Sequence, residues 1–110
     1  MNAVSVNARI ERLLEALRGY QPECVYLFGS AARGEADELS DLDVVVIKPT
    51  QSSFFERLQE VGRMLPAEAG PVDVLVYTPE EFAAMQREGN AFAEMVAKEG
   101  LLVYGRSAKV

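Results

Sequence analysis

The 110-residue chain contains no histidine. This removes the commonest general base and the commonest zinc ligand, and it excludes a Ser-His catalytic triad. The single cysteine, Cys24, allows neither an intrachain disulfide nor a thiolate cluster, and its setting in an apolar run reads as a small core residue. No run approaches the roughly 18 apolar residues of a membrane span, and the N-terminus lacks a signal-peptide pattern. The expected location is therefore the cytoplasm. Basic residues are outnumbered, 11 against 17, for a net charge of -6, which argues against a generic nucleic-acid binder that must neutralise phosphates. The length suits one domain over residues 1–110 with a single core, and leaves no room for a second substrate-binding lobe.

Aspartate is also scarce, and its distribution is informative. The chain uses 13 Glu but only four Asp, and three of the four are Asp41, Asp43 and Asp73. Aspartate is depleted in strands, yet these three abut or interrupt the valine-rich runs Val44-Val45-Val46-Ile47 and Val74-Leu75-Val76. Short carboxylates on rigid strands suit ligation of a hard cation. Asp41 and Asp43, one residue apart, project from the same face of an extended segment. A turn cap for Asp41 and an edge-strand position for Asp73 are the plainer alternatives. Ahead of the pair, the apolar run Cys24-Val25-Tyr26-Leu27-Phe28 leads into Gly29-Ser30. A small-residue turn of this kind can present backbone N–H groups to an anion. A phosphate seat beside a cation seat reads as a metal-dependent nucleotide site.

The Gly29-Ser30 pair, the ten-residue gap and the Asp41-x-Asp43 repeat resemble the signature of the DNA polymerase beta type nucleotidyltransferase superfamily. The fuller string, Gly29-Ser30-Ala31-Ala32-Arg33-Gly34 continuing to Ser40-Asp41-Leu42-Asp43, is more similar to its minimal nucleotidyltransferase (MNT) branch. Asp73 fits the place of the family's third carboxylate, and Glu99-Gly100-Leu101-Leu102-Val103-Tyr104-Gly105 resembles the family's closing strand. The resemblance implies a nucleotidyltransferase fold of the α/β class, with a mixed sheet flanked by helices. It also implies two magnesium ions held by Asp41, Asp43 and Asp73, with ATP as substrate and its phosphates on Gly29, Ser30 and Arg33. MNT proteins are commonly paired with a HEPN-domain protein in toxin–antitoxin modules, and some transfer AMP to a tyrosine of that toxin. The resemblance thus implies an antitoxin acting as a protein adenylyltransferase. A binding antitoxin that neutralises by contact, and a small-molecule nucleotidyltransferase, are the alternatives. For Arg33, a salt bridge to the acidic stretch 35–38 competes with phosphate binding.

The coarse pattern places these motifs. Ile10, Leu13, Leu14 and Leu17 recur at helical spacing, predicting an amphipathic helix over about 4–18 that Gly19 ends. A strand over 24–28 follows, then a short helix start over 29–33 broken by Gly34, an acidic loop over 35–40 and a strand over 41–47. Phe54, Leu58, Val61 and Leu65 mark a helix from about Ser53, and a turn near Gly70 leads to a strand over 72–77. Thr78-Pro79-Glu80-Glu81 is a helix start with its own capping residues. The last helix carries Phe92, Met95 and Val96 and ends at Gly100, before a strand over 101–104 and a short polar end after Gly105. Phe54, Phe55, Phe82 and Phe92 are expected in the core, and Tyr104 in packing. Strands interleaved with helices indicate an α/β sheet. Rival motifs fail: Glu35-Ala36 replaces the Lys-Ser/Thr of a P-loop after Gly29-x-x-x-x-Gly34, and Asp37, Asp41 and Asp43 lack the alternating ligands and central glycine of a calcium loop.

Overall fold

Alternation along the strands sends apolar side chains into two separate layers. A computed structural model of the chain describes residues 5–106. In order, it contains α1 (Val6–Leu17), β1 (Cys24–Phe28), β2 (Leu42–Ile47), α2 (Phe54–Met64), β3 (Val72–Tyr77), α3 (Pro79–Arg87), α4 (Ala91–Glu99) and β4 (Leu101–Gly105). The four strands form one sheet in the order β3-β2-β1-β4. β1 runs antiparallel to both β2 and β4, whereas β2 and β3 are parallel. The sheet is therefore mixed. The parallel pair follows from α2, because two neighbouring parallel strands need a crossover between them.

On one face Val25, Leu27, Val44, Val46 and Val76 pack with Leu13 and Leu17 of α1 and Val61 of α2. On the other, Cys24, Tyr26, Val45 and Ile47 pack with Phe82 of α3 and with Ala93 and Val96 of α4. Cys24 is free and buried, and burial pushes its thiol up to about 11, as an inert core residue requires. The start of α3 is set by its capping box: Thr78 Oγ1 accepts from the Glu81 amide at 3.1 Å, and Glu81 accepts from the Thr78 amide at 2.9 Å. Ser53 and Glu56 repeat the device at the start of α2.

Several expectations are corrected. Residues 29–34 form one turn rather than a helix start, and β2 begins at Leu42, leaving Asp41 just outside it. α1 gives way at Arg18–Tyr20 to a 3-10 turn that runs through Gly19. Phe54 and Phe55, expected in the core, are 40% and 67% exposed. They occupy the first turn of α2, where Phe54 rests against Tyr77 at the end of β3 (ring centroids 5.6 Å apart) and Phe55 turns outward. Tyr104 is likewise exposed on β4, at the edge of the sheet. The polar end from residue 107 and the expected helix start at Val4 lie outside the described residues.

Arg57 is a charged residue inside this frame. Its guanidinium is almost fully buried and makes a bidentate pair with Glu81 at 2.7 and 3.1 Å, while also donating to the carbonyls of Ser52 and Val76. One side chain thus ties α2, the end of β3 and α3 together. Removing one partner of a buried pair leaves the other charge uncompensated. Arg57→Met is expected to lower unfolding stability by about 3 kcal/mol. Glu81→Gln should cost less, about 2 kcal/mol, because the glutamine amide oxygen can still accept from the buried guanidinium, which also keeps its bonds to the Ser52 and Val76 carbonyls. Urea unfolding followed by circular dichroism measures both.

Candidate active site

β1 ends at Phe28, and the chain then turns through Gly29 with φ at +67°. Glycine is required there for a second reason: a Cβ at this position would stand 2.5 Å from Oδ2 of Asp43. The Asp43 carboxylate therefore lies directly against the backbone of the turn. Antiparallel register makes this inevitable, since Phe28 is paired with Asp43 across β1 and β2. Beyond Gly29, the amide of Arg33 donates to the Gly29 carbonyl, that of Gly34 to Ala31 and that of Glu35 to Ser30. With Gly34 at φ +73°, the last two bonds make a Schellman ending on a single turn. No acceptor among the described residues takes the amides of Ser30, Ala31 or Ala32. These are the orphan donors of a first turn, grouped beside the Asp43 carboxylate.

The carboxylates come from adjacent strands. Asp43 of β2 and Asp73 of β3 are partners in the parallel register, so both project from the face that also carries Phe28. Asp41 precedes β2 by one residue, and its charge is felt at Asp43. Burial pushes the Asp43 carboxyl above its usual range, and the negative charges of Asp73 and Asp41 push it further, with Arg33 opposing. On the same face Phe28, the register partner of Asp43, sits edge-on against Phe92 of α4, with centroids 5.2 Å apart. Asp41 and Asp73 are exposed, and Asp73 stands on an edge strand. Among the described residues, no three acidic or thiol groups close into a ready-made metal cage.

Arg33 is paired with Glu35 at 2.9 Å, both side chains half-exposed. The hydrogen bond to Glu35 raises its pKa, and the charges of Glu35, Glu99 and Asp43 act in the same direction. Gly29, Ser30, Asp41, Asp43 and Asp73 therefore lie at one end of the sheet, where β1 ends and β2 and β3 begin, with Arg33 turned toward the acidic loop. An open depression of about 400 Å³ lined by Arg12, Glu15, Ala16, Pro66 and Glu68 contains none of these residues.

One residue around the site had escaped the sequence reading. Arg9 of α1 is 2% exposed, and its guanidinium donates only to backbone carbonyls among the described residues. Its position was the available signal. Arg9 follows Val6 by three residues and precedes Leu13 by four, placing it on the apolar stripe of an amphipathic helix. An arginine on such a stripe must find partners inside.

The chain belongs to the nucleotidyltransferase domain family, whose model matches residues 10–103. No curated protein matches it. Among solved structures it is similar to a candidate nucleotidyltransferase from Sulfolobus solfataricus, at 22% identity and a TM-score of 0.57, over 96% of this chain and 90% of that one. It is similar to a chain of a toxin–antitoxin complex with AMP-PNP, at 24% identity and a TM-score of 0.57, over 88% of this chain and 73% of that one. A third likeness is to a chain of an MntA–HepT toxin–antitoxin complex carrying two aspartate-to-glutamate changes one residue apart. There the identity is 20% and the TM-score 0.55, over 88% of this chain and 73% of that one. These likenesses establish the fold, with its mixed sheet and flanking helices.

The raised Asp43 carboxyl has a consequence for stability. A carboxyl with a raised folded pKa binds its proton more tightly in the native state, so its stabilising contribution is present below the ordinary value of 3.8. That contribution is lost as pH rises through the folded value. At neutral pH the ionised group is a liability. Asp43→Asn should therefore melt a few degrees higher than the wild type at neutral pH without added metal, and the gap should narrow as pH falls toward about 4. Thermal melts across that range test this. A variant less stable than wild type at neutral pH contradicts it.

Proposed function

We propose that this nucleotidyltransferase is a metal-dependent adenylyltransferase that moves AMP from ATP to a hydroxyl of a protein partner, a tyrosine of a HEPN-domain toxin, and so acts as an antitoxin in the cytoplasm. The observation that carries the reading is the grouping of Asp43 with Asp73 in register, Asp41 beside them and the free amides of 30–32 alongside. Family membership supports nucleotidyl transfer. The AMP-PNP and MntA–HepT complexes, with the paired aspartate changes in one of them, support the choice of nucleotide, partner and site.

The donor set fits divalent ions. Three carboxylates that repel one another gain from a cation between them. Magnesium is commonly held by one or two carboxylates with substrate phosphates completing its shell, so an open set suits ions that arrive with a nucleotide. Asp41 and Asp43 would hold two magnesium ions and Asp73 would complete the set. When bound, such ions neutralise the triphosphate and lower the pKa of the attacking hydroxyl.

The chain's own groups supply positioning. Gly29 leaves space for the Asp43 carboxylate, and the amides of Ser30, Ala31 and Ala32 with the Ser30 hydroxyl bind the departing phosphates. Arg33 exchanges Glu35 for a phosphate oxygen, a charge-assisted contact better matched than a half-exposed carboxylate. The acceptor hydroxyl gives up its proton to water, its oxygen bonds to the α-phosphorus, and the bond to the pyrophosphate oxygen breaks, releasing pyrophosphate. This transfer depends mostly on placement and charge stabilisation.

With partner, ATP and magnesium present, intact-mass spectrometry should find adenylate added to the partner. Asp73→Asn should keep ATP binding yet lose at least about a hundredfold in turnover, as when a positioned catalytic group is removed. An unmodified partner that is nevertheless fully inhibited would establish neutralisation by contact instead.

A further inference from the structure

The two segments that lead into the carboxylate-bearing strands are tied to one another by a single side chain. Arg9 donates from Nη1 to the carbonyl of Ser40 at 2.7 Å and to those of Asp37 and Glu38 at 3.4 Å. It donates from Nε to Ala69 at 2.7 Å and from Nη2 to Pro71 at 3.0 Å. The first group of carbonyls lies immediately before Asp41. The second lies immediately before Val72 and Asp73. The amide of Leu42 also donates to the Pro71 carbonyl at 3.0 Å, so the two segments meet where Arg9 reaches them.

The surroundings are shaped to receive this guanidinium. Gly70 has φ +70°, and a Cβ there would stand 2.8 Å from Nε of Arg9. The carbonyls of Ala69, Glu38 and Ser40 take no backbone donor among the described residues, that of Ala69 is buried, and the planar fork of Arg9 reaches both segments at once. A lysine in its place keeps the charge but offers a single point of attachment.

We propose that Arg9 is a positioning residue for the metal–nucleotide site, holding the 37–40 and 69–71 segments so that Asp41 and Asp43 keep a fixed separation from Asp73. This rests on the reading of those aspartates as the metal-binding set. Arg9 touches neither metal nor nucleotide. It acts at the roots of the strands, in the way that outer partners set the orientation of metal ligands.

The test is calorimetric titration of ATP at graded manganese concentrations, paired with thermal melts, for wild type, Arg9→Lys, Gly70→Ala and Val61→Ala. Val61 is a core residue of α2 that serves as a control for loss of stability alone. Arg9→Lys and Gly70→Ala should each need at least about tenfold more manganese for half-maximal ATP binding, a loss typical of disturbed outer partners, with binding recovered at high manganese. Val61→Ala should melt lower yet keep the wild-type manganese requirement. A folded Arg9→Lys or Gly70→Ala with the wild-type requirement overturns the proposal. So does failure of both to fold where Val61→Ala folds, since Arg9 would then serve folding alone. An Asp43→Asn arm separates the two levels. If that variant binds ATP with the wild-type manganese dependence, the metal-site reading itself is wrong and the proposal falls with it.

Discussion

The parallel register of β2 and β3 is the constraint on which the site depends. It sets Asp43 beside Asp73 on neighbouring strands, about 4.8 Å apart in the hydrogen-bonding direction, with their side chains on one face. Nothing in folding favours that arrangement, because two like charges next to one another repel and one of them is partly buried. The surrounding sheet absorbs the cost. Val44, Val45, Val46 and Ile47 are fully buried between two layers of helices, and a one-residue slip of β2 would turn Asp43 into the apolar layer under α1 and α2. The catalytic proposal uses a strain that the core is rigid enough to hold.

Two buried arginines divide the structural labour around that sheet. Arg57 uses a carboxylate partner and locks the end of β3 to α2 and α3, far along the strand from Asp73. Arg9 uses carbonyls and works at the opposite end, where the strands begin. A guanidinium suits both places because its several donors can satisfy more than one segment at a time. Leu39 at the tip of the acidic loop remains 82% exposed although the carbonyls on either side of it are held from beneath. The loop is therefore pinned to the body of the domain through its backbone, while the Asp37 and Ser40 side chains close it on itself.

Much of this was legible in the sequence, for identifiable reasons. β1 and β2 showed as apolar runs because their residues are buried on both faces of the sheet, and β3 showed through its valines although, at the sheet's edge, only Val76 of it is fully buried. α3 showed through Thr78, Pro79 and Glu81, whose roles are local. The three aspartates stood out because Glu serves almost everywhere else. What escaped depends on contacts distant in sequence. Phe55 follows another phenylalanine yet is exposed, while Phe54 takes the contact with Tyr77 at the end of β3. Arg9 and its partner carbonyls lie as many as 62 positions apart, so composition and periodicity could flag the oddity of the residue but not what it holds. The turn after Gly29 reads as a helix start because the Arg33 amide reaches the Gly29 carbonyl as it would in a helix, but the left-handed Gly34 closes the segment before a helix forms.

The central claim is that Asp41, Asp43 and Asp73 form a divalent-cation site that works together with the turn after Gly29. The most direct measurement is anomalous scattering from crystals grown with manganese and a non-hydrolysable ATP analogue. The account predicts a manganese peak within ligand distance of Asp41 and Asp43, with the triphosphate on the amides of 30–32. An ordered nucleotide bound elsewhere, or manganese that avoids these aspartates, would contradict it.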